Sequence, residues 1–63
     1  MARFEVYKDA QGEFRWRLKS SNGRSIATSG EGYKSKASVQ DGIAAVKREA
    51  AAADVDDQTG TTF

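Results

Sequence analysis

The sequence predicts an α+β domain in which three strands are followed by a helix and a final strand. Up to residue 29 the apolar residues alternate with polar ones, which is the period of a half-buried strand. From residue 39 to residue 50 they recur at every third or fourth position, the period of a helix with one buried face. A chain of 63 residues is one domain at most, and we expect residues 1–59 to form it and residues 60–63 to be a flexible tail.

The first two strands are predicted over residues 3–8 and 13–19, with a short turn between them. Gly12 ends that turn at a position suited to positive φ. The apolar side chains of both strands point to one face, and the charged ones point to the other. The expected core residues are Phe4, Val6, Phe14, Trp16 and Leu18. A core explains the aromatic residues better than a ligand-stacking site, because a chain this small has no other residues to build one.

A hairpin turn at Asn22-Gly23 leads into the third predicted strand, over residues 24–29. Both turn residues tolerate positive φ, so the sequence predicts a type I′ turn. Ile26 is the expected core residue of the third strand, which completes an antiparallel meander. A weak final strand is predicted over residues 54–59, in which Val55 is the only strongly apolar residue.

The helix is predicted to begin after Ser35, a good N-cap residue, and to end near Ala51. Gly42 lies within the apolar stripe, where glycine costs up to about 1 kcal/mol relative to alanine. We therefore expect a close approach to the sheet at that point, with Trp16 as the neighbour. Tyr33, just before the helix, is expected to pack its ring on the edge of the sheet.

The composition argues against catalysis. The chain has neither cysteine nor histidine, which removes disulfides, thiolate metal sites and the commonest acid–base group. We expect no enzyme activity, no cofactor and no metal site. The acidic segment with Asp54, Asp56 and Asp57 lacks the glycine and the terminal glutamate of a calcium-binding loop. No segment reaches the length of about 18 apolar residues that a membrane span needs, and no signal-peptide pattern is present, so we expect a cytoplasmic protein.

The charges are distributed unevenly along the chain. Residues 1–48 carry ten basic and five acidic side chains, whereas residues 49–63 carry four acidic ones and no basic ones. A basic body with an acidic end suits a polyanion partner, or pairing between the end of one copy and the body of another. The candidate interaction residues are Arg3, Tyr7, Arg15, Arg17, Lys19, Tyr33, Lys34 and Lys36.

Two interpretations of the charged sheet face remain open. Basic residues interleaved with an aromatic on an open sheet are typical of proteins that bind single-stranded nucleic acid. Glu5 and Glu13 share this face, however, and cross-strand Glu–Arg pairs also decorate ordinary solvated sheets. The second interpretation is favoured, since one tyrosine is a small stacking platform.

The glycine-rich segment at residues 30–36 also has two interpretations. A helix N-terminus that follows glycines and lysines can bind an anion through free backbone N–H groups. The segment is not a phosphate-binding P-loop, because Tyr33 stands where that motif requires glycine before Lys34. A tight turn capped by Ser35 explains these residues without a ligand, and this interpretation is favoured.

Several short motifs resemble one known family. They are Phe4-x-Val6-Tyr7-Lys8-Asp9, Phe14-Arg15-Trp16-Arg17-Leu18-Lys19, Asn22-Gly23, Gly32-Tyr33-Lys34-Ser35-Lys36 and Gly42-Ile43-x-x-Val46-Lys47. Together they resemble the YegP-like family of small bacterial and archaeal proteins, a domain of unknown function. The resemblance implies a β-β-β-α-β unit that pairs with a second unit into one continuous sheet and exchanges its C-terminal strand. It implies no established activity.

This chain carries one such unit without an internal repeat, so we expect a homodimer. The size of the chain points the same way, because a three-stranded sheet under one helix leaves an open edge and a thin core. The expected function is a non-enzymatic protein-interaction or structural module. The alternative is an anion or single-stranded nucleic-acid binder that uses the basic outer face of the sheet and the helix N-terminus.

Overall fold

The computed structural model describes residues 1–60 and forms a three-stranded antiparallel sheet with a helix packed on one face. The strands lie in the order β1-β2-β3, as the predicted meander requires. The elements are β1 (Arg3–Lys8), β2 (Phe14–Lys19), β3 (Ser25–Thr28) and α1 (Lys36–Ala50). The α+β prediction is therefore confirmed. No helix within residues 1–60 is long and apolar enough to cross a membrane. Most of the predicted flexible tail, residues 61–63, lies outside the described part.

The β2–β3 turn differs from the predicted type I′ geometry. Gly23 has φ +86°, but no residue other than glycine has positive φ within residues 1–60, so Asn22 does not adopt it. The N–H of Gly23 donates to the carbonyl of Ser20 over 3.0 Å, and the N–H of Ser20 donates to the carbonyl of Arg24 over 2.8 Å. This is a type I turn followed by a left-handed glycine. The side chain of Asn22 holds it by accepting from the N–H of Arg24 over 3.2 Å.

The core lies where α1 crosses β2. Val39 on the helix is fully buried, and Trp16 on β2 is 6% exposed. Phe4 meets the indole edge to face, with ring centroids 5.4 Å apart. Ser29, also buried, fastens the end of β3 to the core: its N–H donates to the carbonyl of Trp16 over 2.9 Å, and its hydroxyl accepts from the N–H of Trp16 over 3.2 Å.

Ile26 does not belong to the core, contrary to the prediction. Ala27 lies opposite Leu18 and Ser25 lies opposite Lys19, so Ile26 is the extra residue of a β-bulge. Its side chain is 59% exposed. The bulge shifts the register by one residue, and a one-residue shift moves a side chain off the face that simple alternation assigns to it.

The helix begins and ends where the sequence predicts. The hydroxyl of Ser35 accepts from the N–H of Ser38 over 3.1 Å, and Ala51 is the C-cap. Gly42 faces Tyr33, however, and not Trp16 as expected. A Cβ atom at Gly42 would lie 2.8 Å from the Cζ atom of the tyrosine ring. The backbone of Tyr33 is fixed there by two hydrogen bonds of 2.8 Å to Phe14, so its ring lies against the helix.

The predicted final strand does not form within this chain. Residues 53–58 are neither helix nor strand, and no residue from 54 to 59 pairs with the sheet. A strand obtains its backbone hydrogen bonds from a neighbouring strand. Val55 is the only strongly apolar side chain of this segment, and it is 77% exposed, so nothing apolar holds the segment against its own sheet. Exchange of this segment with a second copy stays a prediction.

Candidate functional site

The face of the sheet that points away from α1 carries most of the predicted interaction residues. Three opposed pairs lie on it because they alternate along β1 and β2 with the core-facing residues. The pairs are Arg3 with Lys19, Glu5 with Arg17, and Tyr7 with Arg15. These six residues are called the outer face below. The structure thus brings together five of the eight predicted residues.

One end of the outer face is electrically balanced. The Arg15 Nε–H donates to Asp9 Oδ2 over 2.6 Å, and Lys34 Nζ lies 3.0 Å from a carboxylate oxygen of Glu13. The other oxygen of Asp9 accepts from the N–H groups of Gln11 and Glu13 over 2.9 and 3.0 Å. The hydrogen bond from Arg15, and then the one from the Glu13 backbone, hold the pKa of Asp9 below its ordinary value. Both cations at this end already have a carboxylate partner.

Acid should destabilise the fold in part through Asp9. The pKa of Asp9 is lower when folded than when unfolded, so ionised Asp9 stabilises the fold above about pH 4, and this contribution is lost as the pH falls through the folded pKa. We therefore expect the melting temperature to fall between about pH 5 and pH 2, and to fall less in Asp9→Asn. Thermal melts followed by circular dichroism measure this. Asp41→Asn, at an exposed helix position, is the matched control and should fall as the wild type does.

The other end of the outer face has an excess of positive charge. The carboxylate of Glu5 accepts from Arg17 Nε–H over 2.8 Å and from Arg3 Nε–H over 3.0 Å. The hydrogen bond from Arg17 contributes most to lowering the pKa of Glu5, and the one from Arg3 lowers it further. Lys19 donates to the carbonyl of Gly23 over 3.3 Å and has no carboxylate partner within residues 1–60. Two of these three cations share the one carboxylate and the third has no acidic partner within residues 1–60, and we call Arg3, Glu5, Arg17 and Lys19 the cationic end.

The single aromatic residue of the outer face is partly covered. The guanidinium carbon of Arg17 lies 4.4 Å from the centroid of the Tyr7 ring. The guanidinium occupies the space over one face of the ring, where a nucleic-acid base would otherwise stack. One face of the Tyr7 ring is thus occupied by a contact within the sheet and is not available for stacking on a base.

Lys36 and Tyr33 lie apart from the outer face. Tyr33 packs its ring against α1, as described above. Lys36 is the first residue of α1 and lines a groove of about 380 Å³ between the helix N-terminus and β1. The lining residues are Val6, Tyr7, Lys8, Phe14, Lys36 and Gln40.

The groove combines basic and apolar character. Lys8 lies on the core side of β1, with its ammonium group 5.1 Å from the centroid of the Phe14 ring. Val6 is 41% exposed, and no acidic residue lines the groove. Within the described residues, the outer edge of β1 pairs with no strand. One sign of this groove is visible in the sequence, because Lys8 stands where alternation after Phe4 and Val6 expects an apolar residue.

The loop before α1 is explained by packing and capping. A Cβ atom at Gly32 would lie 2.9 Å from the Cβ atom of Glu13, so close approach accounts for this glycine. The hydroxyl of Ser35 caps the helix. Within residues 1–60, no group of three or more carboxylate, histidine or cysteine side chains is placed to hold a metal ion. These contacts favour the turn interpretation of residues 30–36.

Solved structures of related proteins share this fold. The NMR solution structure of a protein from Haloferax volcanii has a TM-score of 0.84 and 52% sequence identity, and covers 89% of this chain and 93% of that chain. The solution NMR structure of protein ATU0232 from Agrobacterium tumefaciens has a TM-score of 0.75 and 48% identity, and the match covers both chains in full.

Sequence comparison gives the same relationship. The DUF1508 family, a domain of unknown function, matches residues 9–57. A UPF0339 protein of Agrobacterium fabrum is 50% identical over 62 residues, which are 98% of each chain. A UPF0339 protein of Neisseria meningitidis serogroup B is 52% identical over 52 residues, covering 82% of this chain and 91% of that protein. The chain therefore belongs to the DUF1508 family of UPF0339 proteins, which confirms the YegP-like membership predicted from its motifs.

Proposed function

We propose that this chain is a small homodimeric interaction module in which residues 54–59 of each copy complete the sheet of the other. The observation that carries the proposal is the groove beside β1, where an open strand edge lies next to a partly uncovered Val6. An unpaired edge is a template for another strand, and natural proteins commonly cover such an edge. The C-terminal segment of a second copy, which forms no strand in its own chain, is the occupant that this chain itself supplies.

Charge and shape support this occupant. The groove is lined by Lys8 and Lys36 and by no acidic residue. The C-terminal segment has the opposite character, with Val55 standing between Asp54 and Asp56. An extended segment alternates its side chains, so the valine can face the apolar floor while its neighbours point toward solvent and the lysines. Association would cover apolar surface that the single copy leaves exposed.

The size of the protein supports association as well. The core of one copy has only Trp16 and Val39 as buried apolar residues within residues 1–60. Small domains without disulfides or metals commonly gain stability by oligomerising. We infer a non-enzymatic module that works without a cofactor, since the chain has neither histidine nor cysteine for chemistry. Its cytoplasmic location stays a prediction.

Sedimentation equilibrium tests the proposal. We expect a dimer at micromolar concentration, and Val55→Ser should raise the dimer dissociation constant by about tenfold or more, since each dimer buries two copies of Val55. Ala53→Ser is the matched control in the same exposed segment and should change it little. A 6.8 kDa monomer at high micromolar concentration would contradict the homodimer. A dimer that is insensitive to Val55→Ser would contradict the exchanged segment.

The alternative of a single-stranded nucleic-acid binder has less support. Arg17 covers one face of the Tyr7 ring. Glu5, Asp9 and Glu13 lie among the cations of the outer face and would repel a continuous phosphate backbone. The outer face is better suited to a discrete anion than to a polymer of phosphates.

A further inference from the structure

We propose that the cationic end of the outer face binds a phosphate monoester. Arg3 and Arg17 both pair with Glu5, and Lys19 lies opposite Arg3 in the register of β1 and β2, on the face of the sheet opposite the helix. None of these four residues lines the groove proposed for the second copy. The site is therefore distinct from the dimer interface proposed above. Its ligand is recognised by charge and by hydrogen bonds from two guanidinium groups and one ammonium group.

The two arginines are held ready for a ligand. Each donates its Nε–H to a different oxygen of the Glu5 carboxylate, over 3.0 Å for Arg3 and 2.8 Å for Arg17. No hydrogen bond from their terminal amino groups is formed within residues 1–60. Glu5 is thus a positioning residue that fixes both guanidinium groups while their terminal N–H donors stay accessible. The side chains of Arg3 and Arg17 are 71% and 41% exposed, so a ligand in solution reaches them.

The ligand class follows from the charge balance. Three cations and one carboxylate leave a net charge of +2, because Lys19 has no acidic partner. A phosphate monoester carries nearly two negative charges at neutral pH, and its oxygens accept the parallel N–H donors of a guanidinium group. A carboxylate supplies one charge and two oxygens, so it satisfies the site less well.

The extent of the site limits the ligand to a discrete anion. The neighbouring Arg15 is already paired with Asp9 over 2.6 Å, and Lys34 is paired with Glu13 over 3.0 Å. The excess charge therefore ends beyond Arg17. A single phosphoryl group fits the remaining cations, whereas a longer polyanion meets carboxylates.

A titration of the full chain with phenyl phosphate, followed by amide NMR at constant ionic strength, tests the proposal. We expect saturable shifts confined to residues 3–5 and 17–19, and binding of benzoate at least about threefold weaker. Arg17→Gln and Lys19→Gln should each weaken phenyl phosphate binding by about threefold to fivefold, the effect of losing one exposed charged contact. If Arg17→Gln fails to fold, Lys19→Gln carries the test, because Lys19 makes no ion pair within residues 1–60.

Two further variants separate the site from a general charge effect. Arg48→Gln removes the same charge from an exposed helix position and should leave binding unchanged. Arg17→Lys keeps the charge but loses the planar donor group, so it should bind about threefold more weakly. The proposal is overturned by shifts that do not saturate, by equal binding of benzoate, by an equal loss in Arg48→Gln, or by unchanged binding in Arg17→Lys.

Discussion

Replacing Trp16 with alanine is expected to unfold the protein. The indole is 6% exposed and lies at the centre of the sheet, where it meets the edge of Phe4. Truncating a buried tryptophan costs about 3–5 kcal/mol. Native domains are stabilised by about 5–15 kcal/mol in total, and a chain of this length belongs at the lower end of that range. The expected loss therefore equals most or all of the free energy of unfolding.

The free-energy cost of Trp16→Ala comes from lost packing. Within residues 1–60, the buried Trp16 Nε1–H has no hydrogen-bond acceptor, so alanine removes an unsatisfied donor and breaks no side-chain hydrogen bond. Urea denaturation of the wild type and of both variants measures the effect, with Ile26→Ala as the control in the same sheet. Ile26 is 59% exposed, and its truncation should cost about 1 kcal/mol or less. A folded Trp16→Ala protein of near wild-type stability would refute the assignment of the core.

The first two strands and the helix could be predicted from the sequence because their signals are local. Alternation along residues 3–8 and 14–19 depends only on the period of a strand. Ser35 caps the helix through a hydroxyl that reaches only three residues ahead. The third strand was harder, because the face of Ile26 depends on its register against β2, and a bulge changes that register. Neither the bulge nor the type I turn before it leaves a distinct signature in a single sequence.

The candidate site shows the same division between local and non-local information. Alternation placed Arg15, Arg17 and their neighbours on one face, as observed. The sequence did not predict which cations lack a carboxylate partner, because the pairing of Arg17 with Glu5 depends on the strand register. Lys36 was predicted at the helix N-terminus from local signals and lies there, but the groove that it lines depends on how the helix meets the sheet. The predicted final strand does not pair with the sheet of its own chain, and its exchange with a second copy stays a prediction.

Replacing Gly42 with valine is expected to cost about 2 kcal/mol. Valine favours a helix over glycine by about 0.5 kcal/mol, so propensity alone predicts a small gain. The added Cβ atom, however, would lie 2.8 Å from Cζ and 3.2 Å from Cε1 of the Tyr33 ring. Overpacking of this kind costs about 1–3 kcal/mol. The Tyr33 backbone is held by two hydrogen bonds of 2.8 Å to Phe14, so the clash is relieved by turning the ring away from the helix, which gives up its packing there.

A double-mutant cycle with Tyr33→Leu isolates this contact. Leucine lacks the outer ring atoms that a side chain at position 42 would meet, so the clash is removed and the helix propensity remains. Gly42→Val should then be neutral or slightly stabilising in the Tyr33→Leu background, although it destabilises the wild type. Urea denaturation of the four proteins gives the coupling energy. An equal cost in both backgrounds would show that glycine is required for some reason other than the tyrosine ring, and the close packing of the helix on residue 33 would then not explain Gly42.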